Sequence, residues 1–166
     1  DGGTGDDRLD GGKGNNILRG GDGNDQLSSG APGTNLLDGG AGDDRLIGGD
    51  GNDTLLGGDG RDTLSAASTV DGGVRTVTVD GGAGDDTLVF GAIAGTATVR
   101  ATGGAGADRF EFGASGQQVV ITDLGAGDVI DLSALLPRNM AANPFGAAGH
   151  LKATQQGPDV VLQIDR

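Results

Sequence analysis

Residues Gly48 to Ser65 read GGDGNDTLLGGDGRDTLS, one nine-residue phrase written twice, with glycine at places one, two and four, aspartate at place six and leucine at place eight. Glycine held at fixed places marks backbone angles that other residues avoid. Aspartate held at a fixed offset marks a place where something positive is met. The phrase extends in both directions. From Gly2 it runs GGTGDDRLD, GGKGNNILR, GGDGNDQLS, then SGAPGTNLLD with one residue added, then GGAGDDRLI and the quoted pair, ending at Ser65. Two further copies stand apart, GGAGDDTLV at Gly81 and GGAGADRFE at Gly103. Collagen also repeats glycine, but with a shorter period and abundant proline; here proline numbers 4 in 166 residues.

The last three residues of each phrase alternate outward, inward, outward, with the apolar residue in the middle. Leu9, Leu18, Leu27, Leu37, Leu46, Leu55, Leu64, Leu88 and Phe110 therefore form one inward ladder. Strands this short cannot stand alone, so they stack in parallel, each glycine turn carrying the chain to the opposite sheet. Two phrases make one coil of a short, narrow, all-β parallel solenoid. The fifteen residues 66–80, ending VRTVTVD, and the thirteen residues 90–102, ending TATVRAT, each replace one phrase on the same flank.

Bulk composition explains why such a chain needs help to fold. Only 34% of it is hydrophobic and 2% aromatic, Gly numbers 37, and the net charge is -13. Burial this sparse does not offset chain entropy, and like charges repel. Every acidic residue but Glu111 is Asp, the short side chain suited to turns. Nucleic acid and anionic membrane surfaces are excluded as main partners by sign. Cations remain. There is no Cys to supply disulfides, no apolar run of membrane-spanning length, and no signal peptide at the start. The chain opens in mid-pattern at Asp1, as a piece of something longer would.

Place six carries an acid or amide in every phrase: Asp7, Asn16, Asp25, Asn35, Asp44, Asp53, Asp62, Asp86 and Asp108. Alternate turns share a flank, so the partner of each residue is two phrases away. One flank then becomes a column of Asp7, Asp25, Asp44, Asp62, Asp86 and Asp108; the other holds Asn16, Asn35 and Asp53 and is degenerate. The expected ligands are these aspartates, Asp53 included, with backbone carbonyls of the glycine turns at Gly3, Gly5, Gly21, Gly23, Gly40, Gly42, Gly49, Gly51, Gly58, Gly60, Gly82, Gly84, Gly104 and Gly106. Hard oxygen donors in a flexible cage suit Ca²⁺ better than Mg²⁺, and soft metals lack their donors. About five to eight such ions would nearly cancel the charge, leaving an expanded chain without metal and a compact one with it.

The phrases resemble GGxGxDxUx, the nonapeptide of RTX calcium-binding proteins, densely over residues 2–65 and onward through Glu111. The resemblance implies a parallel β-roll, a right-handed β-solenoid with Ca²⁺ between stacked turns. VVITDLGAGDVIDLSALL, Val119 to Leu136, looks like the segment that closes RTX domains of proteins exported by type I secretion. Leu151 to Arg166, ending GPDVVLQIDR, is similar to a strand of the C-terminal target domain of exported adhesins. The likeness divides the chain into a roll over 1–111 and a capping and secretion-target region over 112–166. It implies a non-catalytic module that folds on calcium outside the bacterial cell, with the type I secretion machinery as partner and an anionic or polysaccharide ligand for the parent protein. The tail also suits a β cap over the open solenoid end. Phe110, Phe112, Val119, Ile121, Leu124, Ile130, Leu132, Leu135 and Leu136 would supply its bulk, and Asp123 and Asp128 would complete the last ion site.

Catalytic signals are weak. His150 is the sole histidine and has no nucleophile motif nearby. The pairs Asp6 with Asp7, Asp43 with Asp44 and Asp85 with Asp86 recur with the repeat, which argues for structure over glycoside hydrolysis. GGxG is followed by acids and no Lys, so it does not cradle phosphate. Arg8, Arg45 and Arg109 share place seven and read as a solvated pattern. The competing function is an accessory module of a secreted polysaccharide-modifying enzyme or hydrolase. Against it stands the lack of Trp and Tyr, the usual stacking surfaces for sugars.

Overall fold

A strand three residues long has two unpaired edges, and only a copy of itself one coil away offers both matching hydrogen bonds and a matching leucine. In the computed structural model this stacking builds the whole molecule, over the described residues 1–30, 32–68, 74–93, 96–113, 118–134, 151–156 and 159–164. The strands are β1 (Gly3–Thr4), β2 (Arg8–Asp10), β3 (Ile17–Asp22), β4 (Gln26–Ser28), β5 (Gly33–Ala41), β6 (Arg45–Ile47), β7 (Gly51–Asp59) and β8 (Thr63–Ser68). They continue as β9 (Val74–Ala83), β10 (Thr87–Ile93), β11 (Thr96–Ala105), β12 (Arg109–Phe112), β13 (Gln118–Ile121), β14 (Val129–Asp131), β15 (Leu151–Gln156) and β16 (Asp159–Ile164).

Odd and even strands separate into two sheets, in the orders β1-β3-β5-β7-β9-β11-β13-β16-β15 and β14-β12-β10-β8-β6-β4-β2. Pairing is parallel from β1 to β13 and throughout the second sheet, the architecture of a parallel β-roll. β16 and β15 then add antiparallel strands beyond β13. The register holds the ladder in line: Leu9, Leu27, Leu46, Leu64, Leu88, Phe110 and Ile130 follow one another across the second sheet. Leu18, Leu37, Leu55, Val79, Ala101 and Ile121 do so across the first. Leu27 through Phe110 are fully buried between the sheets, whereas Leu9 and Leu18 are half-buried. β9 and β11 take the places of missing phrases and bring in Val77, Val99 and Ala97, while Phe90 and Phe112 pack with ring centroids 5.1 Å apart.

Two expectations need correction. The residues ahead of each short strand are not all turn, because in the first sheet the ladder runs on through the opening glycines, pairing Gly21, Gly40, Gly58, Gly82 and Gly104 in sequence. Stacked turns keep their N–H and C=O groups along the coil axis, so they bond coil to coil as strands do. Gly40 at φ 111° and Gly42 at φ 126° make that possible, since a side chain is strained at such angles. Leu124 is 40% exposed and adds nothing to the cap, because it sits in the turn between β13 and β14. Ile130 and Leu132 do pack on the core. Leu135, Leu136 and His150 lie outside the described residues.

Leu55→Ala removes a fully buried rung and should lower the stability of the calcium-loaded protein by about 2–5 kcal/mol, measured by urea melting at saturating calcium. Leu9→Ala, at a half-buried rung, should cost clearly less; equal losses would contradict the stacked-ladder description.

Candidate metal centre

The sixth-place aspartates of one flank lie at the ends of the glycine turns that lead into β2, β4, β6, β8, β10 and β12. From Asp25 onward each accepts a hydrogen bond at Oδ1 from the backbone N–H of the equivalent residue one coil back. Asp7 N–H donates to Asp25, Asp25 to Asp44, Asp44 to Asp62, Asp62 to Asp86 and Asp86 to Asp108, at 2.7–2.9 Å. Asp108 N–H continues to Asp128 Oδ1 at 3.0 Å. This column is continuous across both irregular segments.

The second oxygen is different. Oδ2 of Asp7, Asp25, Asp44, Asp62, Asp86 and Asp108 is buried and has no hydrogen-bond partner. A buried acceptor left unbonded costs roughly 1–3 kcal/mol, more if charged. Six of them rival the whole net stability of a domain, about 5–15 kcal/mol. Such a column persists only if something positive sits against it or protons neutralise it.

The space beside each orphan oxygen is shaped by the first glycine of its own phrase. A Cβ on Gly81 would stand 2.5 Å from Asp86 Oδ2 and 2.5 Å from the carbonyl oxygen of Gly103 in the next coil. The same convergence of a carboxylate oxygen and a next-coil carbonyl recurs beside Gly2, Gly20, Gly39 and Gly57. At Gly103 the three nearest atoms all belong to Asp108, so no carbonyl stands as near as at the other five. Among the described residues no three His, Cys, Asp or Glu side chains form a group that could hold a metal, so carbonyls must complete any cage. Carboxylate plus carbonyl oxygen, without nitrogen or sulfur, is the donor set of a hard divalent cation, Ca²⁺ before Mg²⁺ because the spacing comes from flexible stacked turns. The residues fit the ion.

Other candidates distribute as follows. The second- and fourth-place glycines of this flank, Gly3, Gly5, Gly21, Gly23, Gly40, Gly42, Gly58, Gly60, Gly82, Gly84, Gly104 and Gly106, all have positive φ. From Gly3 to Gly84 their carbonyls abut the matching glycine of the next coil, so a Cβ on Gly23 would lie 2.5 Å from Gly5 O. Asp53, Gly49 and Gly51 stand on the opposite flank, away from the column. Asp128 ends the column with both oxygens engaged, Oδ2 accepting from Gly125 N–H at 2.7 Å. Asp123 accepts from Gly103 N–H at 2.9 Å and Gly104 N–H at 2.8 Å, a carboxylate bonding where a further coil would.

Sequence reasoning passed over two features. The first-place glycines form the cradle wall, and they could have been found by asking which places exclude a side chain for lack of room. The fifth place forms a second ladder, running the other way: Asp6 Oδ1 accepts from Asn24 N–H, Asn24 Oδ1 from Asp43 N–H, and Asp43 Oδ1 from Arg61 N–H, at 2.7–2.8 Å. The acid pairs are therefore two opposed hydrogen-bond columns. Arg109 is exposed and pairs with Glu111 at 2.7 Å and with Asp131, an arrangement of small energetic weight.

Electrostatics follow from burial. Desolvation pushes the Asp62 carboxyl up to about 6 and Asp86 up to about 7; the backbone N–H bonds from Asp44 and Asp62 oppose this, and neighbouring carboxylates add to it. Asp44 and Asp108 shift upward for the same reasons. A carboxyl this costly to ionise is one whose charge awaits a partner.

A family model for the RTX calcium-binding nonapeptide repeat (4 copies) matches residues 1–31, 29–64 and 67–92. No curated protein and no solved structure matches the chain.

The raised values set the sign of a pH effect in the metal-free protein. Folded carboxyls that hold protons to about pH 6–7 contribute stability that is complete below the ordinary value of 3.8 and lost as pH rises through 6 and 7. Metal-stripped protein should therefore show more β signal by circular dichroism at about pH 4 than at about pH 8, the reverse of ordinary acid denaturation. Equal signal at both would contradict the buried column.

Proposed function

This chain belongs to the family of RTX calcium-binding nonapeptide repeats, and from that premise we propose that it folds on calcium as the structural module of an exported protein. RTX β-rolls are structural calcium-binding domains. The observation that carries the reading is the file of six buried, partnerless Oδ2 atoms. Asp7, Asp25, Asp44, Asp62, Asp86 and Asp108 would hold one ion each, together with the carbonyls of the first-place glycines and of the positive-φ glycines between coils. Bound calcium supplies the positive charge that makes burial of these carboxylates affordable. Six divalent ions bring about twelve charges against the net -13.

The chain's own residues do the rest. The backbone N–H of each sixth-place residue fixes Oδ1 of the next, which aims Oδ2 into the gap. The leucine ladder keeps water from one side, and the first-place glycines leave the gap open. Without cations the six carboxylates repel one another and the roll comes apart. That dependence suits a protein that leaves the cell unfolded, through type I secretion, and folds where calcium is plentiful. Residues 112–166 are the closing and export region of this scheme, supported by the likeness of Val119 to Leu136 and of Leu151 to Arg166 to such tails. The same likeness favours an adhesin as the parent protein. Among the described residues no helix is long and apolar enough to cross a membrane.

Calcium titration of the stripped protein at neutral pH should raise the β signal and shrink the hydrodynamic radius together, with a chelator reversing both. A chain equally compact in excess chelator would refute the scheme. Asp44→Ala should weaken calcium affinity, read by calorimetry, several-fold more than Asn16→Ala, since only Asp44 belongs to the column. Equal effects would remove the column from the mechanism.

A further inference from the structure

The two flanks carry one repeat yet are finished differently. On the first flank, place one is glycine from Gly2 to Gly103, leaving room beside each orphan oxygen. On the second, the matching place after β4 is Ser29, which is completely buried. Its hydroxyl donates to the carbonyl oxygen of Gly48, the counterpart of the carbonyl that borders the open cradle on the first flank. A side chain stands where the cradle would be.

The sixth place of that phrase completes the contrast. Asn35 Oδ1 accepts two hydrogen bonds, from the backbone N–H and the side-chain amide of Asn16, both at 3.0 Å. The Asn35 amide then donates to Asp53 Oδ1 at 2.7 Å. The Asn16 amide spends its other hydrogen on the Gly14 carbonyl at 3.1 Å. Asn35 thus has no lone pair left for a cation, and it points N–H at the acid beyond it. Burial pushes the Asp53 carboxyl up, the hydrogen bonds from Asn35 oppose that, and the charge of Arg75, a buried residue of β9, adds a smaller opposing pull. In the next coils the sixth place is Val77, Val99 and then Val119, all buried. Among the described residues no buried side-chain oxygen on this flank lacks a partner.

We propose that the second flank is fastened by the protein's own hydrogen-bond donors where the first is fastened by calcium, and that Ser29 closes to metal the gap beneath the Gly48 carbonyl, while at Gly48 itself Asp53 is held by Asn35. Hydroxyl and amide hydrogens stand in for the ion, each satisfying an oxygen that calcium would otherwise meet. A calcium cage takes six to eight oxygens and tolerates no donor aimed into it. Ser29 and Asn35 therefore determine where the chain binds metal as firmly as the aspartates do. The proposal rests on the reading of the first flank as the calcium column.

Calcium stoichiometry of the full chain, by equilibrium dialysis with circular dichroism on the same samples, tests it. The unsubstituted protein should bind no more ions than the six orphan oxygens. Asp53→Asn should leave the count unchanged. The double substitution Ser29→Gly with Asn35→Asp restores glycine and carboxylate beneath the Gly48 carbonyl and should raise the count by one, whereas Asn35→Asp alone should not. A count above six, the loss of an ion in Asp53→Asn, or a folded double variant with no gain would overturn the proposal. If the double variant does not fold, the unsubstituted and Asp53→Asn counts decide. A protein that binds no calcium at all would instead overturn the calcium reading, and this proposal with it.

Discussion

A carboxylate oxygen buried beside carbonyl oxygens, with no donor in reach, is the contact on which this fold turns. Every other feature can be traced to it. The short acid is needed because a longer one would overshoot the gap between coils. Glycine is needed at place one because any Cβ would fill that gap, and at places two and four because the turn bends through angles closed to other residues. The leucine ladder is narrow because the coil is narrow, and a core this thin leaves the polar column to decide whether the chain is folded.

Hydrogen bonding gives the column its order. Fifth- and sixth-place side chains reach along the axis in opposite directions, so each coil is tied to both neighbours by side chain as well as by strand. From Asp25 to Asp108 one oxygen of each acid in the column is consumed in this tie, and the other is released to face the gap. Aspartate serves both ends at once, which an asparagine at the same place does only by turning its amide into a donor. That is the difference between Asp44 and Asn35.

Much of this was legible in the letters. Period, inward ladder, parallel stacking and the alternation of flanks follow from nine copies of a phrase, because repetition forces equivalent residues into equivalent places. Counting phrases through the segments 66–80 and 90–102 also predicted that Asp86 and Asp108 rejoin the column. What could not be read was how hydrogen bonds divide the two oxygens of one carboxylate. Asp123 and Asp128 read as further ligands, and what the letters do not show is that each of their oxygens also accepts one backbone N–H. Ser29 in place of glycine looks like drift, and its meaning appears only when the Gly48 carbonyl is seen above it. The opening glycines looked like turn and pair as strand, since hydrogen bonds between coils have no signature within one phrase.

The interior is not uniform along its axis. From β2 to β7 each strand turns a single leucine inward, whereas β9 to β13 bring Val77 with Val79, Leu88 with Phe90, Ala97 with Val99 and Ala101, Phe110 with Phe112, and Val119 with Ile121. Hydrophobic burial per coil is therefore greater at the C-terminal end, and the thin leucine-only coils lean most on charge neutralisation. As calcium falls, unwinding should begin in the thin coils while the thicker end survives as a seed. Rewinding then starts from a surface already in register, sparing the chain the slow search for its first parallel pairing.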